Sequence, residues 1–95
     1  MAELDANLVA PTRLKLLTIL MAVSEAEFST IRDTLHVSDS VLSKHLAALE
    51  NVGYLKRRKS VDRGRRTTWI SLTLGGRKAL SAHVSVLRAL ISAVE

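Results

Sequence analysis

Basic residues are concentrated in one short segment of this 95-residue chain, where they could bind a polyanion. Residues 54–66 contain seven lysine and arginine residues and one acid, Asp62, for a net charge of +6, which leaves −1 for the rest of a chain whose total is +5. Because the positive charge lies in one segment, one surface of the protein should attract phosphates. The segment therefore indicates a nucleic acid as partner.

A second set of candidate residues precedes this segment, on a predicted helix over residues 39–51. Leucines at positions 42, 46 and 49 recur at i, i+4 and i+7, so they form one buried stripe. The opposite face is small, polar and basic, which suits hydrogen bonding to base edges or phosphates, although ordinary solvated residues would show the same pattern. The candidates are Ser38, Ser40, Ser43, Lys44 and His45. His45 lies on the flank of the stripe and could equally be packed.

The ends of this helix are also marked in the sequence. Ser38 is expected to cap its N-terminus, and Gly53 followed by Tyr54 predicts a Schellman ending. Upstream, Phe28, Ile31 and Leu35 predict a second short helix. Only two residues separate the two helices, which is helix-turn-helix spacing, although the turn has no glycine.

After Gly53 the pattern becomes extended. Residues 54–61 and 67–73 predict two strands joined by residues 62–66, with Gly64 at the tip. In the second strand, residues 68, 70 and 72 should face the helices, and residues 69 and 71 should face away. The basic side chains of this hairpin that we expect to contact nucleic acid are Arg57, Lys59, Arg63, Arg65 and Arg66.

Together these motifs resemble the winged helix-turn-helix transcriptional regulators of the MarR and ArsR type, in particular their compact single-domain group. The resemblance covers about residues 8–90, and the matching pieces are Ala10–Leu14, Val37–Leu49, Asn51–Tyr54, Asp62 with Arg65 and Arg66, and Leu72–Arg77. It implies a mainly α fold with a small β-hairpin (α+β), in which helix 39–51 enters the major groove of DNA. It also implies that the hairpin, or wing, reaches phosphates or the adjacent minor groove.

The chain departs from the family pattern in two places. Thr73-Leu74-Gly75-Gly76 lacks the proline and the glutamate that many relatives have before the final helix, so a looser helix start is expected. The chain is also shorter than a typical MarR protein, whose additional helices form the usual inducer pocket. A MarR-type ligand site is therefore not expected, and whether a small-molecule effector exists stays open.

Residues 1–95 are predicted to form one domain, with a core over about residues 8–74 and a C-terminal dimerisation helix over about 76–94. Apolar residues in this helix are spaced 4-3-4-3, as in a heptad seam: Leu80, Val84, Leu87, Ile91 and Val94. The alternative is that this stripe covers the chain's own core. We expect a homodimer, which would place two recognition helices about 34 Å apart on an inverted repeat.

Several classes of function lack support in the sequence. There is no cysteine, which fits a reducing cytoplasm and removes thiolate metal sites, and the three histidines lie on separate predicted elements. No signal peptide, membrane-spanning segment or catalytic motif is evident. We therefore expect a cytoplasmic protein that is not an enzyme, requires no cofactor or metal and does not bind a membrane.

The sequence thus predicts a sequence-specific regulator of transcription that binds double-stranded DNA and acts as a dimeric repressor. Two alternatives remain. The protein could bind DNA without sequence preference, as an architectural protein does, or its winged helix could bind another protein. The basic hairpin disfavours the second alternative. RNA binding has little support, since only Tyr54 and Trp69 could stack on bases.

Overall fold

A computed structural model describes residues 3–95, which form four helices and one small antiparallel sheet. The sheet has the strand order β1-β3-β2. In chain order the elements are α1 (Pro11–Met21), β1 (Ala26–Glu27), α2 (Phe28–Leu35), α3 (Asp39–Asn51), β2 (Leu55–Asp62), β3 (Arg65–Leu72) and α4 (Leu74–Val94). This architecture confirms the predicted winged helix-turn-helix fold with a C-terminal helix.

The buried core consists of leucine and isoleucine side chains contributed by every helix and by the long strands. Leu42, Leu46 and Leu49 have no exposed surface, as their spacing predicted. They pack with the other buried residues, which are Leu8, Leu16, Leu17, Leu20, Ile31, Leu55, Ile70, Leu72 and Leu80. Each fully buried aliphatic side chain contributes about 1.5–3 kcal/mol to folding, so this cluster fixes the positions of the helices.

Both predicted ends of α3 are present. The Ser38 hydroxyl accepts a hydrogen bond from the Val41 amide at 3.2 Å and caps the N-terminus. At the other end Gly53 has a φ of +80°, and its amide donates to the carbonyl of Glu50 at 3.0 Å. The Tyr54 amide donates to the carbonyl of Leu49 at 2.9 Å, which completes the Schellman motif.

The turn between α2 and α3 uses a histidine where a glycine is common. His36 ends α2 in the left-handed region, with a φ of +55° and a ψ of +46°. The Val37 amide then donates to the carbonyl of Arg32 at 3.3 Å. Arg32 also pairs with Asp39, the first residue of α3, at 3.0 Å. The turn is therefore tight without glycine, and an ion pair links the two helices.

The connection between β2 and β3 is shorter than the sequence predicted. Asp62 pairs with Arg65, so only Arg63 and Gly64 lie between the strands, with φ values of +53° and +76°. Positive φ at both central residues is the mark of a type I′ turn, whose twist matches that of the strands. The predicted five-residue connection is therefore wrong, because the polar residues on either side of this turn continue the strands.

The sequence did not predict β1. It has only two residues, and Ala26 pairs with Ile70 while Glu27 pairs with Trp69. β1 makes β3 the central strand of the sheet. It also places Glu27 beside Trp69 at the edge of β3 that β2 leaves free.

The start of α4 is well anchored, contrary to the looser start that we expected. The Thr73 hydroxyl accepts a hydrogen bond from the Gly76 amide at 3.0 Å and donates to the carbonyl of Gly53 at 2.5 Å. A Cβ atom added to Gly76 would lie 2.0 Å from the carbonyl oxygen of Tyr54. The absence of a side chain at this position thus lets α4 pack against the junction of α3 and β2.

The remainder of α4 passes from the core to solvent. Leu80 is 4% exposed and belongs to the chain's own core, and Val84 packs against that core, so the alternative reading of the apolar stripe holds for this part of the helix. Leu87 is half-buried, whereas Ile91 is 53% and Val94 85% exposed. Leu80 must therefore be removed from the predicted dimer contacts, because its surface is already buried within one chain.

The N-terminal segment packs against two other parts of the fold. The amide of Asp5 donates to Nδ1 of the buried His83 on α4 at 3.0 Å, and the hydroxyl of Tyr54 donates to the Asp5 carboxylate. Burial raises the pKa of this carboxyl, but hydrogen bonds from Tyr54 and Asn7 outweigh that effect and lower it. Leu8, which follows, is fully buried.

The two adjacent glycines of α4 provide a matched test of this packing. Gly76→Ala should lower the free energy of unfolding by about 3 kcal/mol or more, because the new methyl group overlaps a backbone carbonyl that cannot move freely. Gly75→Ala should leave stability unchanged or slightly raised, since its Cβ would come no closer than 3.4 Å to any neighbour and alanine favours helix. Urea denaturation of the two variants measures the difference, and equal stabilities would contradict this account.

Candidate nucleic-acid interface

The face of α3 opposite its leucine stripe is exposed and polar. Ser40, Ser43 and Lys44 are exposed, as are the small side chain of Ala47 and the amide of Asn51. Because the buried stripe prevents α3 from rotating about its axis, these side chains have a fixed direction. The face can offer hydroxyl donors and acceptors, an amide and one flexible cation to a ligand.

Ser38 has a different role from the other candidates on this helix. Its hydroxyl already caps α3, and it lies 3.2 Å from the hydroxyl of Ser40. It remains exposed at the end of the polar face. Its main effect is therefore to hold the first turn of α3 in place.

His45 is held by a residue that was not predicted from the sequence. The side chain of His45 is half-buried, and Nε of Arg13 donates to its Nδ1 at 3.0 Å. Burial lowers the pKa of His45, and the positive charge of Arg13 lowers it further. An imidazole that accepts a hydrogen bond at Nδ1 carries its hydrogen on Nε2. This contact favours the packed alternative for His45 and places Arg13 beside α3.

Strand pairing divides the basic residues of the hairpin between two faces. Cross-strand partners project from the same face of a sheet. We call the face that carries Ile70 the front face; Arg57 pairs with Ile70, Lys59 with Thr68, and Val61 with Arg66, so these residues lie on it. The face that carries Trp69 is the back face. Its basic residues are Lys56, Arg58 and Arg65.

The front face is turned toward α3. Its inner end, at Leu55, Ile70 and Leu72, is buried in the core. Next along the strand, the guanidinium of Arg57 donates to the carboxylate of Glu50 in the last turns of α3, at 2.9 and 3.2 Å. Arg57 is therefore occupied by a contact that joins the hairpin to α3.

The back face holds two further ion pairs. Arg58 donates to both carboxylate oxygens of Glu25, at 2.6 and 3.3 Å, and its guanidinium lies 5.9 Å from the centre of the Trp69 ring. Arg65 donates to Glu27 at 2.6 Å. The hydrogen bond to Arg58 lowers the pKa of Glu25 despite a smaller opposing effect of desolvation. None of these glutamates was singled out in the sequence, since each lies far from its partner along the chain.

The structure thus separates the five predicted hairpin residues into two groups. Lys59, Arg63 and Arg66 are exposed, on the front face or at the tip, and none of them forms an ion pair within residues 3–95. Arg57 and Arg65 are paired with acids, and Arg65 lies on the face away from α3. The unpaired positive charge of the hairpin, on its front face and at its tip, therefore comes from Lys59, Arg63 and Arg66.

Neither a metal-binding cluster nor a membrane-spanning helix is present in the part of the chain that the structure describes. Within residues 3–95, no group of three or more His, Cys, Asp or Glu side chains could hold a metal ion. None of the helices described has the length and apolar character needed to cross a membrane.

Folding stability should depend on pH through His45. Because burial and Arg13 lower the pKa of His45, the unfolded chain binds a proton more readily, and the free energy of unfolding should fall as pH drops through about 6.5. His45→Gln keeps an oxygen acceptor for Arg13 but cannot titrate. As pH drops, the free energy of unfolding of this variant should therefore fall less than that of the wild type. Urea midpoints of both proteins at about pH 7.5 and about pH 5 test this. All other titrating groups are the same in the two proteins. An identical loss of stability in both would therefore contradict the role of His45.

Comparison with known proteins gives concordant results. Residues 12–91 match the family model described as a winged helix DNA-binding domain. The uncharacterized protein MJ0432 of Methanocaldococcus jannaschii is 35% identical over 72 residues, which cover 76% of this chain and 78% of that protein. Most of the chain, including α3 and the hairpin, therefore falls within the family match.

Solved structures show the same fold. A transcriptional regulator homologue from Pyrococcus horikoshii OT3 superposes with a TM-score of 0.90 at 27% identity, covering 96% of this chain and 90% of that one. The Mycobacterium tuberculosis transcriptional regulator MosR, solved in complex with DNA, gives a TM-score of 0.74 at 22% identity, covering 93% of this chain and 62% of that protein. ZitR, a zinc-responsive MarR family member from Lactococcus lactis, gives a TM-score of 0.68 at 22% identity, covering 99% of this chain and 65% of that one, so it shares the winged helix fold.

Proposed function

The chain belongs to the winged helix DNA-binding domain family, and on that premise we propose that it is a transcriptional regulator that binds double-stranded DNA as a homodimer. In this proposal α3 is the recognition helix and enters the major groove. The hairpin formed by β2 and β3 is the wing, and it reaches the phosphate backbone or the adjacent minor groove.

One observation carries the proposal: the exposed polar face of α3 lies next to the unpaired basic residues of the wing. An α-helix fits the major groove, where serine can donate or accept and lysine can reach guanine acceptors. Lys59, Arg63 and Arg66 supply the positive charge that phosphates require. Base contacts and backbone contacts would thus come from adjacent elements held by a single core.

The same surface separates this function from its alternatives. A module that binds proteins through its winged helix is expected to have an uncharged or apolar wing, whereas this wing is strongly basic. An architectural protein that binds DNA without sequence preference needs a basic wing to contact phosphates. It does not need a polar helix face held in a fixed direction to contact base edges. We therefore favour sequence-specific binding, with repression by occlusion of the promoter.

Selection of bound duplexes from a random-sequence pool, at near-physiological salt, tests this function. An enriched inverted repeat is expected. Binding without enrichment would favour an architectural protein, and absence of binding would favour a protein-interaction module. The proposal keeps the cytoplasmic location predicted from the sequence.

Replacing Lys44 tests the role assigned to the recognition helix. Lys44→Ala should weaken binding to the selected duplex and reduce discrimination at one base pair by about 1–3 kcal/mol, because a long cation on the exposed face is lost. Lys78→Ala removes an exposed lysine from α4 and should leave both quantities unchanged. Titration against the selected duplex and its single-base variants measures the effect. Equal effects of the two substitutions would contradict the assignment.

The second half of α4 supports the proposed dimer. Ile91 and Val94 are exposed, and Leu87 is half-buried beside them on the same stripe. A groove of about 510 Å³ lies nearby between α1 and α4, and it is lined by apolar side chains that include Met21 and Val84. Two copies related by a two-fold axis could bury both features. The recognition helices would then meet successive major grooves about 34 Å apart.

A charge placed on the exposed stripe should disrupt the dimer without disturbing the core. Ile91→Glu should yield monomers that bind a duplex inverted repeat much more weakly, because the side chain is 53% exposed in one chain but would be buried between two. Ser92→Glu adds the same charge at an exposed position off the stripe and should remain dimeric. Light scattering measures the mass of each variant, and a dimeric Ile91→Glu protein would place the interface elsewhere.

A further inference from the structure

Three strands bring two glutamates of the β1 region against the back face of the wing. Glu27 on β1 lies opposite Trp69 on β3, and Trp69 lies opposite Arg58 on β2. These three residues therefore share one face of the sheet. Glu25 lies two residues before Glu27 and contacts Arg58, while Arg65 contacts Glu27. We call Glu25, Glu27, Arg58 and Arg65 the back-face clamp.

One of the two ion pairs of the clamp acts on the part of the hairpin that has the least support. β1 pairs only with Ile70 and Trp69, so the outer half of β2 and β3 is a two-stranded ribbon. A two-stranded ribbon is marginal by itself, and its direction relative to the body is easily changed. Glu27 holds this ribbon at the base of the turn through Arg65, and Glu25 holds β2 through Arg58, where the three-stranded part ends. Both contacts lie on the opposite side from the Arg57–Glu50 pair, so the ribbon is held on both faces.

The clamp also changes which charges a duplex meets. A guanidinium that donates to a carboxylate has its charge balanced locally, and it must give up that bond before it can bind a phosphate. Arg65 points to the back face and has such a partner at 2.6 Å, whereas its neighbour Arg66 points to the front face and has no acid partner in the described chain. Two adjacent, exposed arginines thus differ in both direction and pairing.

We propose that Glu25 and Glu27 are positioning residues that withhold Arg58 and Arg65 from DNA and direct the front face and the tip of the wing toward it. The inference rests on the proposed DNA-binding function and refines it. Arg65 stabilises the wing, and Arg66 binds phosphate together with Lys59 and Arg63. The number of phosphates that the wing neutralises is then smaller than the number of its basic residues.

The salt dependence of DNA binding separates the two arginines. Each phosphate contact contributes about 0.9 to the slope of log affinity against log salt concentration. Arg66→Gln should lower the magnitude of this slope by about 0.9, and Arg65→Gln should leave the slope unchanged even if affinity falls because the wing is less well held. The probe is a duplex from the random-pool selection, titrated with the full chain over several salt concentrations.

Glu27→Gln provides the complementary experiment. Removal of the carboxylate frees Arg65, so the slope should become steeper by up to about 0.9, and the double variant Glu27→Gln with Arg65→Gln should return to the wild-type slope. A glutamate with a purely structural role would lower affinity equally at all salt concentrations and would not steepen the slope. Thermal unfolding of each variant verifies that the fold is retained.

Two results would overturn the inference. The first is an equal loss of slope in Arg65→Gln and Arg66→Gln, which would show that both arginines contact phosphate. The second is a Glu27→Gln protein whose slope is that of the wild type. If the wild-type chain failed to bind any duplex, the proposed function itself would be wrong and the inference would fail with it.

Discussion

Burial of a single leucine stripe on α3 determines how the remainder of the surface can be used. Leu42, Leu46 and Leu49 have no exposed surface, and each contributes about 1.5–3 kcal/mol through burial. A rotation of α3 that exposed these side chains would remove much of the 5–15 kcal/mol by which a typical domain is stable. The opposite face, with Ser40, Ser43 and Lys44, is therefore held in one direction by the core. Specific recognition of a rigid ligand requires this kind of fixed presentation.

Electrostatic contacts organise the wing more than they stabilise it. Exposed ion pairs are screened by solvent, so Arg57–Glu50, Arg58–Glu25 and Arg65–Glu27 add little to folding stability. Their effect is on direction, since they attach a thin ribbon to α3 on one side and to the β1 region on the other. They also leave the charge of the front face and the tip unbalanced. Composition alone counts all seven basic residues as equivalent, whereas strand register makes them unequal.

The features that the sequence predicted correctly depend on residues close together in the chain. The limits of α3 follow from Ser38 and Gly53, whose hydrogen bonds reach partners within three residues, and the buried stripe follows from helical periodicity. Strand alternation likewise identified Ile70 and Leu72 as inward-facing. The wing turn was predicted too long because its flanking residues are polar, although Arg63-Gly64 alone satisfies a type I′ turn.

The features that were missed depend on distant residues. Glu25 and Arg58 are 33 positions apart, and Glu27 and Arg65 are 38 apart, so no local pattern could connect them. β1 is defined only by its pairing with β3, because two residues carry no periodicity. The same limit applies to Arg13, which reaches His45 from a different helix, and to Leu80, whose burial depends on the packing of α4 against the body.

The junction around Gly53 and Tyr54 joins the recognition helix, the wing and α4 within a few ångströms. The hydroxyl of Thr73 bonds to the carbonyl of Gly53, and its amide bonds to the carbonyl of Tyr54 at 3.1 Å, beneath Gly76. α4 has 21 residues and is about 32 Å long, so a rotation of one degree at this root would displace its far end by about half an ångström. The carbonyl groups of Gly53 and Tyr54 set the angle between α4 and the remainder of the domain. In a dimer joined through α4, this angle would therefore determine how many base pairs can separate the two half-sites.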